Sequence, residues 1–222
     1  MREDHAMGHA VLAFDGEDEG APARRQAARE RHLQVLAAWA GDGRLAFGTP
    51  LLAPDGRAMG SLMILGAPGE DALRAYLAEE PFNQEGVWQR VETFPFRIAS
   101  LPYRPLPQPG APIAPGRTHT VILARDGTDA EAPQRRLAVR EQHMARVKPM
   151  AADGTLAIGG AILDAPGGRM LGSVAVIARD TDAGARDWMA EDPYVTGQVW
   201  QQVTLWGTRF APLPWQPLPG AA

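Results

Sequence analysis

The chain repeats itself at domain scale, and this limits its fold more than any other feature. "RRQAARERHL" at 24–33 returns as "RRLAVREQHM" at 135–144. "GRLAFG" at 43–48 returns as "GTLAIG" at 154–159. "AEEPFNQEGVWQ" at 78–89 returns as "AEDPYVTGQVWQ" at 190–201, with six of twelve positions identical. Even the tails match, "LPYRPLP" at 101–107 against "LPWQPLP" at 213–219. The offset grows by one residue between Gly159 and Gly172, which places an insertion in a surface loop, where length is tolerated. A period near 110 residues is a domain, not a solenoid repeat. The expected organisation is a first repeat at 1–107, a Pro/Gly-rich linker at 108–118 and a second repeat at 119–222.

Each unit shows the same order of elements. "HAVLAF" and "HTVILA" read as strands. Helices follow over about Pro22 to Ala40 and Pro133 to Ala152, both opening at a proline, which suits the first helical turn. "DGRLAFG" and "DGTLAIG" stop the helix with glycine and start a strand. "GSLMILGA" and "GSVAVIAR" complete a hairpin. A second helix spans about Glu70 to Glu79 and Asp182 to Glu191, and a last strand begins at "GVWQ" and "QVWQ". The order βαββαβ is ferredoxin-like and α+β. Helices then cover one face of each sheet, and the other face needs a partner. Trp88 and Trp200 are expected on that second face, covered by the other repeat with pseudo-twofold symmetry.

Composition narrows the function. The 222 residues are 45% hydrophobic, enough for a packed core. A net charge of −4 without a basic run argues against nucleic acid as a partner. The absence of cysteine excludes disulfides, thiolate catalysis and Cys-ligated metal. No apolar run nears the roughly 20 residues of a membrane span. "MREDHAMGHA" lacks a signal-peptide core. A soluble cytoplasmic protein is the expectation.

The chemistry-bearing residues also come in pairs. Arg29 and His32 share a face of the first helix with Leu36 and Trp39, and Arg140 and His143 with Val147 and Met150. Histidine titrates near neutrality and suits acid–base work; a half-buried histidine with a satisfied hydrogen bond is the plainer reading. Glu80 and Asp192 each precede a proline at the end of the second helix. The proline stops the helix and pushes the acid toward extended backbone. A carboxylate there opposes the helix dipole by roughly 0.3–1 kcal/mol and calls for a nearby cation. Pro193 and Tyr194 are expected to turn straight into the last strand. Ser61 and Ser173 open the third strand of each unit; without a nucleophile elbow they read as turn-closing or substrate-binding hydroxyls. His5, His9 and His119 have no ligand spacing, so no metal is expected. The tails read either as loose ends or as polyproline-like straps that pack Tyr103 or Trp215 on a neighbour.

Taken together, Arg140, His143, Gly154, Leu156, Gly159, Gly172, Ser173, Asp192, Pro193 and Tyr194 resemble the YciI-like family. Arg29, His32, Gly43, Leu45, Gly48, Gly60, Ser61, Glu80, Pro81 and Phe82 repeat the pattern. The resemblance implies a dimeric α+β barrel, here with both halves fused into one polypeptide: a monomer built as a pseudo-dimer, with higher oligomers open. It implies a His–Asp pair, carried onto His143 and Asp192 and onto His32 and Glu80; the residues themselves offer Arg140, Arg29, Ser173 and Ser61 as substrate-binding candidates. The implied activity is cofactor-independent and of lyase, dehydrochlorinase or isomerase type, on a small polar or aromatic molecule. A non-catalytic ligand-binding or accessory protein is the alternative. The extra methylene of Glu80 is expected to disturb the geometry of the first pair.

Overall fold

The computed structural model describes residues 7–66 and 69–221. His5 and most of the amino-terminal segment read above lie outside them. The elements of the first repeat are β1 (Met7–Asp15), α1 (Ala21–Gly41), β2 (Leu45–Leu52), β3 (Ala58–Leu65), α2 (Glu70–Glu79), α3 (Pro81–Gln84) and β4 (Trp88–Ile98). The second repeat gives β5 (His119–Asp126), α4 (Ala132–Asp153), β6 (Leu156–Leu163), β7 (Met170–Ile177), α5 (Asp182–Ala190), α6 (Pro193–Thr196) and β8 (Trp200–Thr208). The inserted residue falls in the second hairpin loop, 164–169, against 53–57 in the first.

The eight strands close into one antiparallel barrel in the order β1-β3-β2-β8-β5-β7-β6-β4. Each repeat supplies four adjacent strands, and two seams join them. Closure removes the free sheet edges that a single repeat would expose. The seams differ. β4 and β6 pair at Phe96–Ile162, Arg97–Ala161 and Ile98–Gly160. β2 and β8 pair only at Leu52–Gly207. Pro50 takes the place of Ala161 in the weaker seam and brings no N–H to a ladder. Side chains replace the missing bonds: Thr208 Oγ1 donates to the Pro50 carbonyl at 2.7 Å and Thr49 Oγ1 to the Arg209 carbonyl at 3.0 Å. Gly160 permits the stronger seam, since a Cβ there would lie 2.4 Å from the Arg97 carbonyl.

The barrel interior is shared by the repeats. Phe14 and Trp206 meet with centroids 5.8 Å apart, and Arg125 lies 3.5 Å from Glu92. Trp88 and Trp200 are not on this face, contrary to the simple alternation read from the sequence. A bulge between Phe14 and Asp15, repeated between Arg125 and Asp126, shifts the register where the tryptophans pair. A shift of one residue exchanges faces. Each tryptophan therefore lies under the helices of its own repeat, Trp88 edge-on to His32 and Trp200 edge-on to His143.

α1 packs through Ala28, His32 and Leu36, four apart, and then Trp39 and Ala40, three and four residues beyond Leu36. Across the matching stretch α4 buries only Val147 and Ala151. A cavity lies beneath its middle. The tails are straps, and they cross between repeats. Tyr103 is buried; its hydroxyl donates to the Gly159 carbonyl at 3.0 Å and accepts from the Gly159 N–H at 3.2 Å. Trp215 stacks on Phe47 at 6.2 Å.

Candidate active site

Asp192 and Glu80 sit at the same structural step. Both have extended backbone, with φ −73°, ψ 131° for Asp192 and φ −75°, ψ 113° for Glu80. Pro193 and Pro81 do not lead directly into a strand. Each opens a one-turn helix whose first turn the preceding acid caps. Asp192 Oδ1 accepts from the Tyr194 N–H at 2.9 Å, and Glu80 Oε1 from the Phe82 N–H at 2.9 Å. The same oxygen meets the imidazole: His143 Nδ1 lies 2.8 Å from Asp192 Oδ1, and His32 Nδ1 lies 2.7 Å from Glu80 Oε1. The extra methylene of Glu80 thus leaves the distance to its histidine intact, against expectation. Both carboxylates are fully buried. Each imidazole stacks on the aromatic two residues after its acid, His143 on Tyr194 and His32 on Phe82, with centroids 3.8 Å apart in each case.

The second carboxylate oxygen distinguishes the repeats. Asp192 Oδ2 accepts from Arg146 Nη1 at 3.2 Å, and Arg146 Nη2 donates to the Trp188 carbonyl at 2.6 Å. Arg146 is the cation that an acid at a helix end calls for. Its counterpart in the first repeat is Val35. There Glu80 Oε2 accepts from the Tyr76 hydroxyl at 2.9 Å, and burial, with Glu80 adding to it, holds that phenol well above its usual pKa. Neither Arg146 nor Tyr76 stands out in one copy of the repeat; comparing Val35 with Arg146 and Tyr76 with Trp188 would have singled out both.

His143 lines a cavity of about 280 Å3 between α4 and its sheet. His32 lines a matching cavity of about 150 Å3. The difference follows from side chains on the sheet. Gly160, Ala161 and Ala175 line the larger cavity, where Thr49, Pro50 and Met63 line the smaller. Each cavity is closed by the other repeat: Arg97, Ala99, Ser100 and Leu101 reach the larger one, Arg209, Phe210 and Ala211 the smaller.

Arg140 and Arg29 line the larger and smaller cavities respectively, and neither makes an ion pair among the described residues. Arg97 also lines the larger cavity. Burial, and then the Arg140 and Arg136 charges, hold it below the usual arginine range. Ser173 Oγ accepts from Arg136 Nη2 at 2.8 Å and from Trp200 Nε1 at 3.2 Å. Arg136 is itself fixed by Asp126, with Nη1 2.8 Å from each carboxylate oxygen. Ser61 is held more loosely, 3.4 Å from Arg25 Nη2, and Trp88 Nε1 is buried without a partner among the described residues. Tyr194 supplies a phenol where the first repeat has Phe82. Burial raises its pKa above the ordinary 10.0, outweighing Arg136 and Arg140, so it remains a proton donor. His9 lies 3.2 Å from Glu70, and His119 Nδ1 lies 2.7 Å from Thr118 Oγ1. No group of three or more metal-ligating side chains occurs among the described residues. No helix among them is long and apolar enough to cross a membrane.

The barrel has relatives of known structure. It superposes on a haem-binding protein from Thermus thermophilus with a TM-score of 0.56 and 12% identity, covering 94% of each chain. At that identity the likeness concerns the fold. The 5-chloro-2-hydroxyhydroquinone dehydrochlorinase of Burkholderia phenoliruptrix AC1100, solved with 2,5-dihydroxybenzoquinone, matches 39% of this chain and 89% of its own at 19% identity and a TM-score of 0.35. An uncharacterised protein of Haemophilus influenzae is 39% identical over 90 residues, 38% of this chain and 90% of that protein. The YCII-related domain model matches twice, at residues 7–97 and 118–210. These two matches take in most of the chain, which belongs to the YCII-related family as a tandem pair closed into one α+β barrel.

Proposed function

We propose that the protein is a cofactor-independent enzyme that moves a proton on a small polar or aromatic molecule in the cavity of the second repeat. One observation carries this reading: His143 has its Nδ1 held by a buried carboxylate 2.8 Å away, while its ring lines a cavity of about 280 Å3. Asp192 meets donors on both oxygens, so His143 Nδ1 carries the proton toward it. Nε2 then presents its lone pair as a base. As Nε2 takes a proton from a C–H or O–H of the bound molecule, the imidazolium that forms is stabilised by Asp192. Arg146 and the Tyr194 N–H keep that carboxylate in place. The electron pair left on the substrate either forms a double bond as a leaving group departs with its own pair, or is reprotonated elsewhere by the same imidazolium. The first outcome is a lyase or dehydrochlorinase, the second an isomerase.

The second reading is a ligand-binding protein without catalysis, and the first repeat favours it. There the same pair, 2.7 Å apart, stands beside only about 150 Å3, so the pair also has a structural use. A thermal-shift screen of phenolic, enolic and halogenated small acids separates the readings, because a ligand of the folded state raises apparent stability. Hits are then followed by proton NMR for turnover. The enzyme reading expects a hit consumed by the wild type and not by His143→Gln. Hits that bind and are never consumed favour the second reading.

A further inference from the structure

Beside the His143 imidazole, the larger cavity is lined by side chains that can donate, Arg97, Arg140, Ser173 and Tyr194 among them. Arg140 comes from α4 and Arg97 from β4 of the other repeat, and neither has an acidic partner among the described residues. Ser173 Oγ already accepts two hydrogen bonds. A hydroxyl has two lone pairs and one proton, so its O–H is left to donate. The Tyr194 hydroxyl has no partner among the described residues either. Partly buried guanidiniums without counter-charges are costly to keep, and a ligand carrying negative oxygens offsets that cost. Trp200, Trp188, Met144, Val147, Leu156 and Val174 add aromatic and aliphatic wall. An apolar cavity of roughly 150 Å3 holds a benzene ring, so about 280 Å3 takes one ring with its substituents.

We propose that the cavity of the second repeat binds a single-ring aromatic anion whose carboxylate or phenolate oxygens bridge Arg97 of the first repeat and Arg140 of the second. The site is therefore complete only across the β4–β6 seam. The cavity of the first repeat keeps two arginines without acidic partners among the described residues, Arg29 and Arg209, but is smaller. Its counterpart of Arg97, Arg209, spends its Nη1 on the Pro115 carbonyl at 2.6 Å. Phe82 lacks the hydroxyl of Tyr194, and Met63 and Pro50 occupy space that Ala175 and Ala161 leave open. This inference rests on the proposed working site and names its substrate class; it does not depend on His143 acting as a base.

Isothermal titration of the full chain with isophthalate, and with its neutral diamide, tests it. One isophthalate is expected per chain, with the diamide at least tenfold weaker. Arg97→Ala and Arg140→Ala each weaken isophthalate by about tenfold or more, in keeping with a hydrogen bond to charge. Arg97→Lys recovers part of the loss, and Arg209→Ala leaves affinity unchanged. Circular dichroism melts show that the variants are folded. Two sites per chain, no binding at millimolar isophthalate, equal affinity for the diamide, or indifference to Arg97→Ala in a folded variant each overturn it. His143→Gln separates the two readings. Isophthalate bound by that variant supports the anion site even if no substrate is ever turned over. Turnover lost in it, without any anion binding, leaves the acid–base reading standing and removes this one.

Discussion

Arg146 Nη1 lies 3.2 Å from Asp192 Oδ2, in the repeat whose cavity is larger. The first repeat has Val35 at that position and a phenol on its acid instead. Arg146→Met strips a charged donor from a carboxylate with no solvent exposure. Urea denaturation should show a loss of about 1–3 kcal/mol. Val35→Met, which removes no donor, should stay within about 1 kcal/mol.

The crossed strap makes its own prediction. Tyr103→Phe removes both bonds to Gly159. The Gly159 carbonyl keeps the Ala99 N–H at 2.9 Å, so only the Gly159 N–H is orphaned. The expected cost is about 1–2 kcal/mol, read from the urea midpoint. A cost near zero would mean that the strap does not hold β6.

The two cavities can be made more alike by exchanging side chains. Ala175→Met imports the residue of the first repeat into open space, so stability should hold within about 1 kcal/mol while ligand binding is lost. Gly160→Thr should behave differently. Its Cβ would lie 2.4 Å from the Arg97 carbonyl, and overpacking at the seam costs about 1–3 kcal/mol. Thermal shift with and without ligand distinguishes the two outcomes.

Burial pushes the His119 pKa from 6.5 to about 4. The unfolded chain then binds more protons than the folded one between those values. Stability from this group is full above about 6.5 and is lost as pH falls toward about 4. Urea midpoints at pH 4.5 and 7.5 should therefore differ more in the wild type than in His119→Phe. Equal differences would show that His119 carries no such linkage.

The repeat made the fold legible: order, helix limits and hairpin insertion all follow from aligning the chain with itself. What it hid was set by single residues acting at a distance. The bulge at Asp15 turned Trp88 to the helix side, and no alternation pattern marks such a bulge. Proline at 81 and 193 was legible as a stop but not as the start of a new turn capped by the acid before it. Histidine and acid were legible because they recur. Tyr194 and Ala175 carry the difference between the cavities, and Arg146 the difference between the two acids, because they do not recur. The partnership of Arg97 with the other repeat depends on barrel closure, which local sequence does not encode.

The central claim is that His143 of the second repeat, held by Asp192, is the working base. Hydron exchange from D2O into a bound substrate or enolisable analogue, followed by NMR, tests it most directly. Wild type and His32→Gln should exchange at similar rates. His143→Gln should lose at least about a hundredfold, the usual contribution of a general base, and Asp192→Asn should fall between. Equal exchange by His143→Gln and the wild type, or loss in His32→Gln alone, would contradict the account.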